Sequence, residues 1–63
     1  MNGKKLRELR EARGLTLEKL GAEVGVSHAM ILRIEMGTKD PSIVLLKAIA
    51  AALDVTAAEL LED

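Results

Sequence analysis

The chain has 63 residues, enough for one small domain, and 49% of them are hydrophobic; no cysteine is present, so a disulfide is excluded. The formal net charge is −1, from nine basic and ten acidic residues, so the chain lacks the basic excess typical of nucleic-acid-binding domains. The absence of Phe, Tyr and Trp excludes base stacking on aromatic side chains, and the lack of a signal-like or membrane-length apolar run favours a cytoplasmic protein.

Glycines and capping residues divide the chain into predicted helices. Glycine follows three helical segments, and serine or threonine precedes four of them, as is typical of helix ends and helix starts. Thr56 and Glu59 have the spacing of a capping box. In chain order the predicted helices are residues 3–13, 17–24, 28–36, 42–53 and 57–62. The prediction is therefore an all-α protein, a single domain over residues 1–63, folded as a compact bundle of five helices.

The connection between the second and third predicted helices is short. It consists of Gly25, Val26 and Ser27, and such a turn between two short helices is the shape of a helix-turn-helix. In that motif the second helix enters the major groove of DNA.

An ordered series of motifs resembles the Cro and phage-repressor family of helix-turn-helix proteins. The motifs are the run from Leu9 to Thr16, the turn from Val24 to Ser27, the end of the third helix with Arg33, Ile34 and Glu35, Pro41 with Ser42, and the last two helices. The resemblance implies a lambda-repressor-like architecture and a structural ion pair between Arg10 and Glu35. The expected core is Leu6, Leu9, Leu15, Leu20, Val24, Val26, Ile31, Ile34, Leu46, Ile49, Leu53, Val55 and Leu60.

The third helix departs from this family in its outward face. At about 100° per residue, Ala29, Leu32 and Met36 fall opposite Ile31 and Ile34, so the helix has two apolar stripes. Base edges are read by hydrogen bonds, and the family places polar residues on that outward stripe.

Three further positions depart from the family pattern. Leu17 stands where the family has a phosphate-contacting Gln, and Val44 stands where it has a polar residue. Gly21 replaces an alanine at a small packing position, which we expect to loosen the second helix slightly.

A clustered apolar face favours contact with another protein. We therefore expect a protein-binding module on a helix-turn-helix scaffold, and we rank a scaffold redesigned to grip a chosen protein above a natural one. A second copy of the chain is a further candidate partner. The predicted patch consists of Leu17, His28, Ala29, Leu32, Met36 and Val44.

The alternative function is that of a sequence-specific DNA-binding repressor domain. Its candidate contacts are Ser27, His28, Arg33, Thr38, Lys39 and Ser42, although Ser27 and Ser42 are equally explained as helix caps. Enzymatic activity is not expected, because one histidine without cysteine or clustered carboxylates offers little for an active site. No metal site and no cofactor are expected either.

Overall fold

A polar side chain caps the start of every helix in the computed structural model, which describes residues 1–62. The helices are α1 Gly3–Ala12, α2 Leu17–Val24, α3 His28–Glu35, α4 Ile43–Leu53 and α5 Ala57–Leu61. The caps are Asn2, Thr16, Ser27, Ser42 and Thr56, and each accepts a hydrogen bond from the backbone N–H three residues later. No strand occurs among the described residues, so the predicted all-α fold is confirmed.

The helix ends differ from the predicted ends by single residues. Arg13, Met36 and Glu62 lie at C-cap positions, and Ser42 is an N-cap, so each stands just outside the helix that was predicted to include it. The cause is that a cap satisfies the free backbone groups of a helix end without itself being helical. The Thr56–Glu59 capping box is present. Asp63, the last residue of the predicted domain, lies outside the described residues.

The core is formed by one apolar side chain or more from every helix. The buried hydrophobic residues are Leu6, Leu20, Ile31, Ile34, Ile49, Ala50, Leu53 and Leu60. Six predicted core residues, namely Leu9, Leu15, Val24, Val26, Leu46 and Val55, are instead half-buried and pack against this cluster. A domain of this size has a high ratio of surface to volume, so a layer of half-buried residues around a small core is expected.

The two ends of the described chain are joined through Asn2. Its backbone N–H donates to the carbonyl of Leu60 at 2.8 Å, and its side-chain amide donates to the carbonyl of Glu62 at 2.7 Å. The same side chain caps α1 by accepting from the N–H of Lys5 at 3.0 Å. One residue therefore fixes the start of α1 against the end of α5.

Gly21 is buried at a close approach between α2 and the following turn. A Cβ at this position would lie 2.6 Å from the carbonyl oxygen of Val26, which is too short for a non-bonded contact. The backbone N–H of Val26 donates to the carbonyl of Gly21 at 2.9 Å. The expectation that Gly21 merely loosens α2 is therefore incomplete, because the absent side chain also lets the turn lie directly on the helix.

Candidate nucleic-acid interface

Two residues form the turn between α2 and α3, one by ending α2 and the other by starting α3. Gly25 ends α2 in the left-handed conformation, with φ of 80°, which favours glycine because a Cβ is disfavoured there. Ser27 begins α3 by accepting from the N–H of Met30 at 3.2 Å. Together they reverse the chain within three residues, and Leu20 of α2 and Ile31 of α3 then share the buried core.

One face of α3 is fixed inside the protein and the opposite face is open. Ile31 and Ile34 are fully buried, whereas His28 and Arg33 are exposed and Leu32 is 41% exposed. Ala29 points outward by helical periodicity and is half-buried. The open face is therefore mixed, with apolar groups between a histidine and an arginine.

A bidentate ion pair joins α1 to the last residue of α3. The Nε of Arg10 donates to one carboxylate oxygen of Glu35 at 2.6 Å, and its Nη2 donates to the other at 3.1 Å. A third hydrogen bond runs from Nη1 to the carbonyl of Leu15 at 2.8 Å. The hydrogen bonds to Glu35 raise the pKa of Arg10 above its ordinary value, against the opposing effect of burial.

The burial of this pair decides its role. The side chains of Arg10 and Glu35 are 10% and 4% exposed, so neither guanidinium nor carboxylate is well placed to contact a ligand. The pair connects α1, the loop before α2 and the end of α3. Its geometry therefore supports holding α3 in position, which is the role implied by the family resemblance.

The residues of the predicted apolar patch do not all share one environment. Leu17 and Ala29 are half-buried, and Leu17 packs against the core. Met36 and Val44 are 70% and 79% exposed. His28 is exposed at the first turn of α3. The patch is thus less exposed in its central part than periodicity alone predicts.

Three patch residues meet in an open groove between α1, α2 and α3. Leu17, Leu32 and Met36 line it together with Arg7, and the Arg10–Glu35 pair lines it as well. Its volume is about 310 Å³. Ala29, His28 and Val44 are not among the lining residues. The structure therefore brings together half of the predicted patch and adds Arg7, which the sequence analysis did not single out.

The polar candidates fall into two groups. Three of them have structural partners: Ser27 caps α3, Ser42 caps α4 by accepting from the N–H of Leu45 at 3.1 Å, and the Thr38 hydroxyl donates to the carbonyl of Arg33 at 3.2 Å. The other three, His28, Arg33 and Lys39, are exposed. These three retain the side-chain hydrogen-bonding capacity that a ligand requires.

Two exposed apolar residues were missed by the sequence analysis. Ile43 opens α4, and Leu61 ends α5. Periodicity could have marked Leu61, which follows the buried Leu60 directly, but not Ile43, which lies seven residues before the buried Ala50 and so on nearly the same face of α4. Neither lines the groove.

Other kinds of site find little support in residues 1–62. That part of the chain holds no group of three or more His, Cys, Asp or Glu residues placed to bind a metal ion. None of its helices is long and apolar enough to cross a bilayer.

The fold and the open face of α3 define a helix-turn-helix domain of the Cro and lambda-repressor type. Residues 6–60 match the HTH_3 helix-turn-helix family, and the chain belongs to that family. A similar protein is an HTH-type transcriptional regulator of Methanothermobacter thermautotrophicus, 44% identical over 48 residues, which are 76% of this chain and 70% of the relative.

Two solved structures have closely similar folds. The restriction-modification controller protein C.AhdI of Aeromonas hydrophila has a TM-score of 0.87 and 38% identity, over 92% of this chain and 88% of that one. SinR, the master regulator for biofilm formation from Bacillus subtilis, was solved in complex with DNA. The DNA complex has a TM-score of 0.90 and 32% identity, over 98% of this chain and all of that one. The resemblance to the Cro and phage-repressor family is therefore confirmed.

These relatives overturn the preferred functional prediction. The prediction of a protein-binding module, whether designed or natural, is wrong, because the similar proteins are transcriptional regulators and one was solved with DNA bound. The prediction was wrong because it relied on a few apolar side chains of the outer face. Two of the patch residues, Leu17 and Ala29, are half-buried, and apolar groups on α3 do not exclude DNA, since thymine itself carries a methyl group in the major groove.

Proposed function

We propose that this chain is the DNA-binding domain of a transcriptional regulator and that α3 enters the major groove. The observation that carries the proposal is the open outer face of α3, presented by a helix-turn-helix whose inner face is fully buried. In this motif the N-terminal residues of the second helix contact base edges. Those residues here begin at His28. No enzymatic activity belongs to this function.

Three exposed cationic or hydrogen-bonding side chains supply the polar contacts of the proposed interface. Arg33 can donate two hydrogen bonds to a guanine or one to a phosphate, and His28 can donate or accept at the start of α3. Lys39, in the loop after α3, is suited to a phosphate. The backbone of each helix start adds a positive end to its dipole, as at Ser27 and Ser42.

The lack of a basic excess in the chain determines how its DNA binding should depend on salt. Neutralisation of each phosphate contributes about 0.9 to the slope of log affinity against log salt. With a net charge of −1 and three candidate polar contacts, we expect a shallow slope and weak binding to random sequence. Sequence preference must then come from α3 rather than from a general attraction to DNA.

A titration of fluorescent random-sequence duplex at low salt tests this function. Arg33→Ala and Lys39→Ala should each weaken binding and reduce the salt slope by about one. Arg13→Ala is the matched control, because its guanidinium lies 3.5 Å from Asp54 at the far end of α4. At 1.5 Å per residue, that end lies about 16 Å along the helix from the start of α4, which belongs to the proposed interface. Equal effects of all three substitutions would contradict the proposal.

A homodimer also belongs to this proposal. Helix-turn-helix dimers bind two half-sites about one helical turn apart, which a single copy of this domain cannot span. Sedimentation of the complex on duplexes with one and with two half-sites would measure the stoichiometry. If one copy of the chain binds to each duplex, whether it has one half-site or two, the proposal of a dimer is wrong, whereas the proposal of DNA binding stands. A cytoplasmic location remains a prediction that accompanies this function.

A further inference from the structure

The open face of α3 offers few hydrogen bonds where bases are read. Within the first two turns, Ala29 lies almost directly opposite the buried side, and Leu32 and Arg33 lie to either side of it. Leu32 is 41% exposed and therefore has apolar surface free for contact. A duplex facing this surface would have to match apolar groups as well as a guanidinium.

Only one apolar group is available in the major groove. Thymine carries a C5-methyl group there, whereas guanine, adenine and cytosine show donors and acceptors. A donor or acceptor placed against Leu32 would lose its water without gaining a partner, which is unfavourable. A methyl group in the same place loses no hydrogen bond, and its burial is favourable.

The spacing of the two apolar residues suits neighbouring base pairs. Side chains three residues apart on a helix have Cβ atoms about 5–6 Å apart. This lies between one and two base-pair steps of roughly 3.4 Å. Ala29 and Leu32 can thus meet methyl groups on base pairs that are adjacent or separated by one pair, while Arg33 addresses the other side of the helix.

We propose that Ala29 and Leu32 recognise thymine C5-methyl groups, so that this chain selects a half-site with thymines at two nearby positions. This inference rests on the proposed DNA-binding function and adds its sequence preference. It assigns to the outward apolar residues a readout role that the three polar candidates cannot fill.

Replacement of thymine by uracil tests the assignment, because uracil differs only by the missing methyl group. A duplex is first selected by the protein from a random-sequence library, and each thymine of that duplex is then replaced singly by uracil. Binding should weaken about fourfold at one or two nearby positions, as expected for one methyl-sized apolar group returned to water. Leu32→Ser should abolish the effect at one of them, and Ala29→Gly at the other.

Leu61→Ser is the control variant, since Leu61 is exposed on α5 and outside the proposed interface. It should keep the full uracil effect, and circular dichroism should show that all three variants are folded. Binding to the selected duplex with no uracil effect at any position overturns the methyl readout alone. A uracil effect that survives both α3 substitutions also overturns it. Selection of no duplex at all overturns the proposed function and this inference together.

Discussion

Removal of the charge of Glu35 should destabilise the whole domain. Glu35→Gln keeps the volume of the side chain but leaves the guanidinium of Arg10, which is only 10% exposed, without its carboxylate. Breaking one side of a buried ion pair typically costs about 3–5 kcal/mol. We expect the lower end, about 3 kcal/mol, because the amide oxygen still accepts one hydrogen bond and Leu15 retains its own bond to Arg10.

A loss of this size is easily measured in so small a protein. Each kcal/mol lowers Tm by about 4–8 °C in a domain of 60–100 residues, so Glu35→Gln should lower it by at least about 12 °C. Thermal unfolding followed by circular dichroism gives Tm, and urea unfolding gives the free energy.

The exposed pair between Arg7 and Glu11 provides the matched control. Its side chains are 65% and 55% exposed and its Nε–Oε2 distance is 3.3 Å, so Glu11→Gln should change the free energy of unfolding by about 0.5 kcal/mol or less. Equal effects of Glu35→Gln and Glu11→Gln would refute the role of the buried pair in holding α3.

The other predictions concern the surface and start of α3. Leu32→Glu should leave the helix content unchanged, because Leu32 is 41% exposed, and should weaken DNA binding because the new carboxylate repels the phosphates. Leu61→Glu is the control, and unfolding of the Leu32 variant in circular dichroism would show that Leu32 does not lie on the outer face of α3. Ser27→Ala should lower the free energy of unfolding, measured in urea, by about 1 kcal/mol through loss of the hydrogen bond from the Met30 N–H. A change below about 0.3 kcal/mol would contradict a stabilising role of Ser27 as the N-cap of α3.

The local structure follows from the sequence because its signals are short-range. A capping residue acts on a backbone N–H three positions away, and a left-handed glycine needs only its own φ, so Ser27 and Gly25 mark the turn without knowledge of the rest of the fold. The Arg10–Glu35 contact joins residues 25 positions apart, and only the family resemblance implied it.

The exposure of the outward residues could not be read from periodicity. Helical spacing gives the direction in which a side chain points, but its burial also depends on the neighbouring elements. Leu17, at the start of α2, is half-buried because it packs against the core. Asn2 was missed for a related reason. Its cap lies at the extreme start of the described chain, and its two other hydrogen bonds go to residues at the opposite end.

The error in the predicted function had a different cause. The apolar outer stripe was interpreted as favouring contact with another protein, although Ala29 and Leu32 are also compatible with a thymine methyl group. The predicted function was therefore based more on a few apolar side chains than on the helix-turn-helix fold that presents them. The polar residues that remain, such as Arg33, were sufficient to keep DNA binding as the alternative.

The most direct test of the central claim is the salt dependence of DNA binding by the unmodified protein. A fluorescent random-sequence duplex is titrated at several salt concentrations, and log affinity is plotted against log salt. DNA binding predicts measurable affinity at low salt and a straight line of negative slope, about −0.9 for each phosphate neutralised. The absence of binding at the lowest salt, or an affinity that does not change with salt, would contradict it.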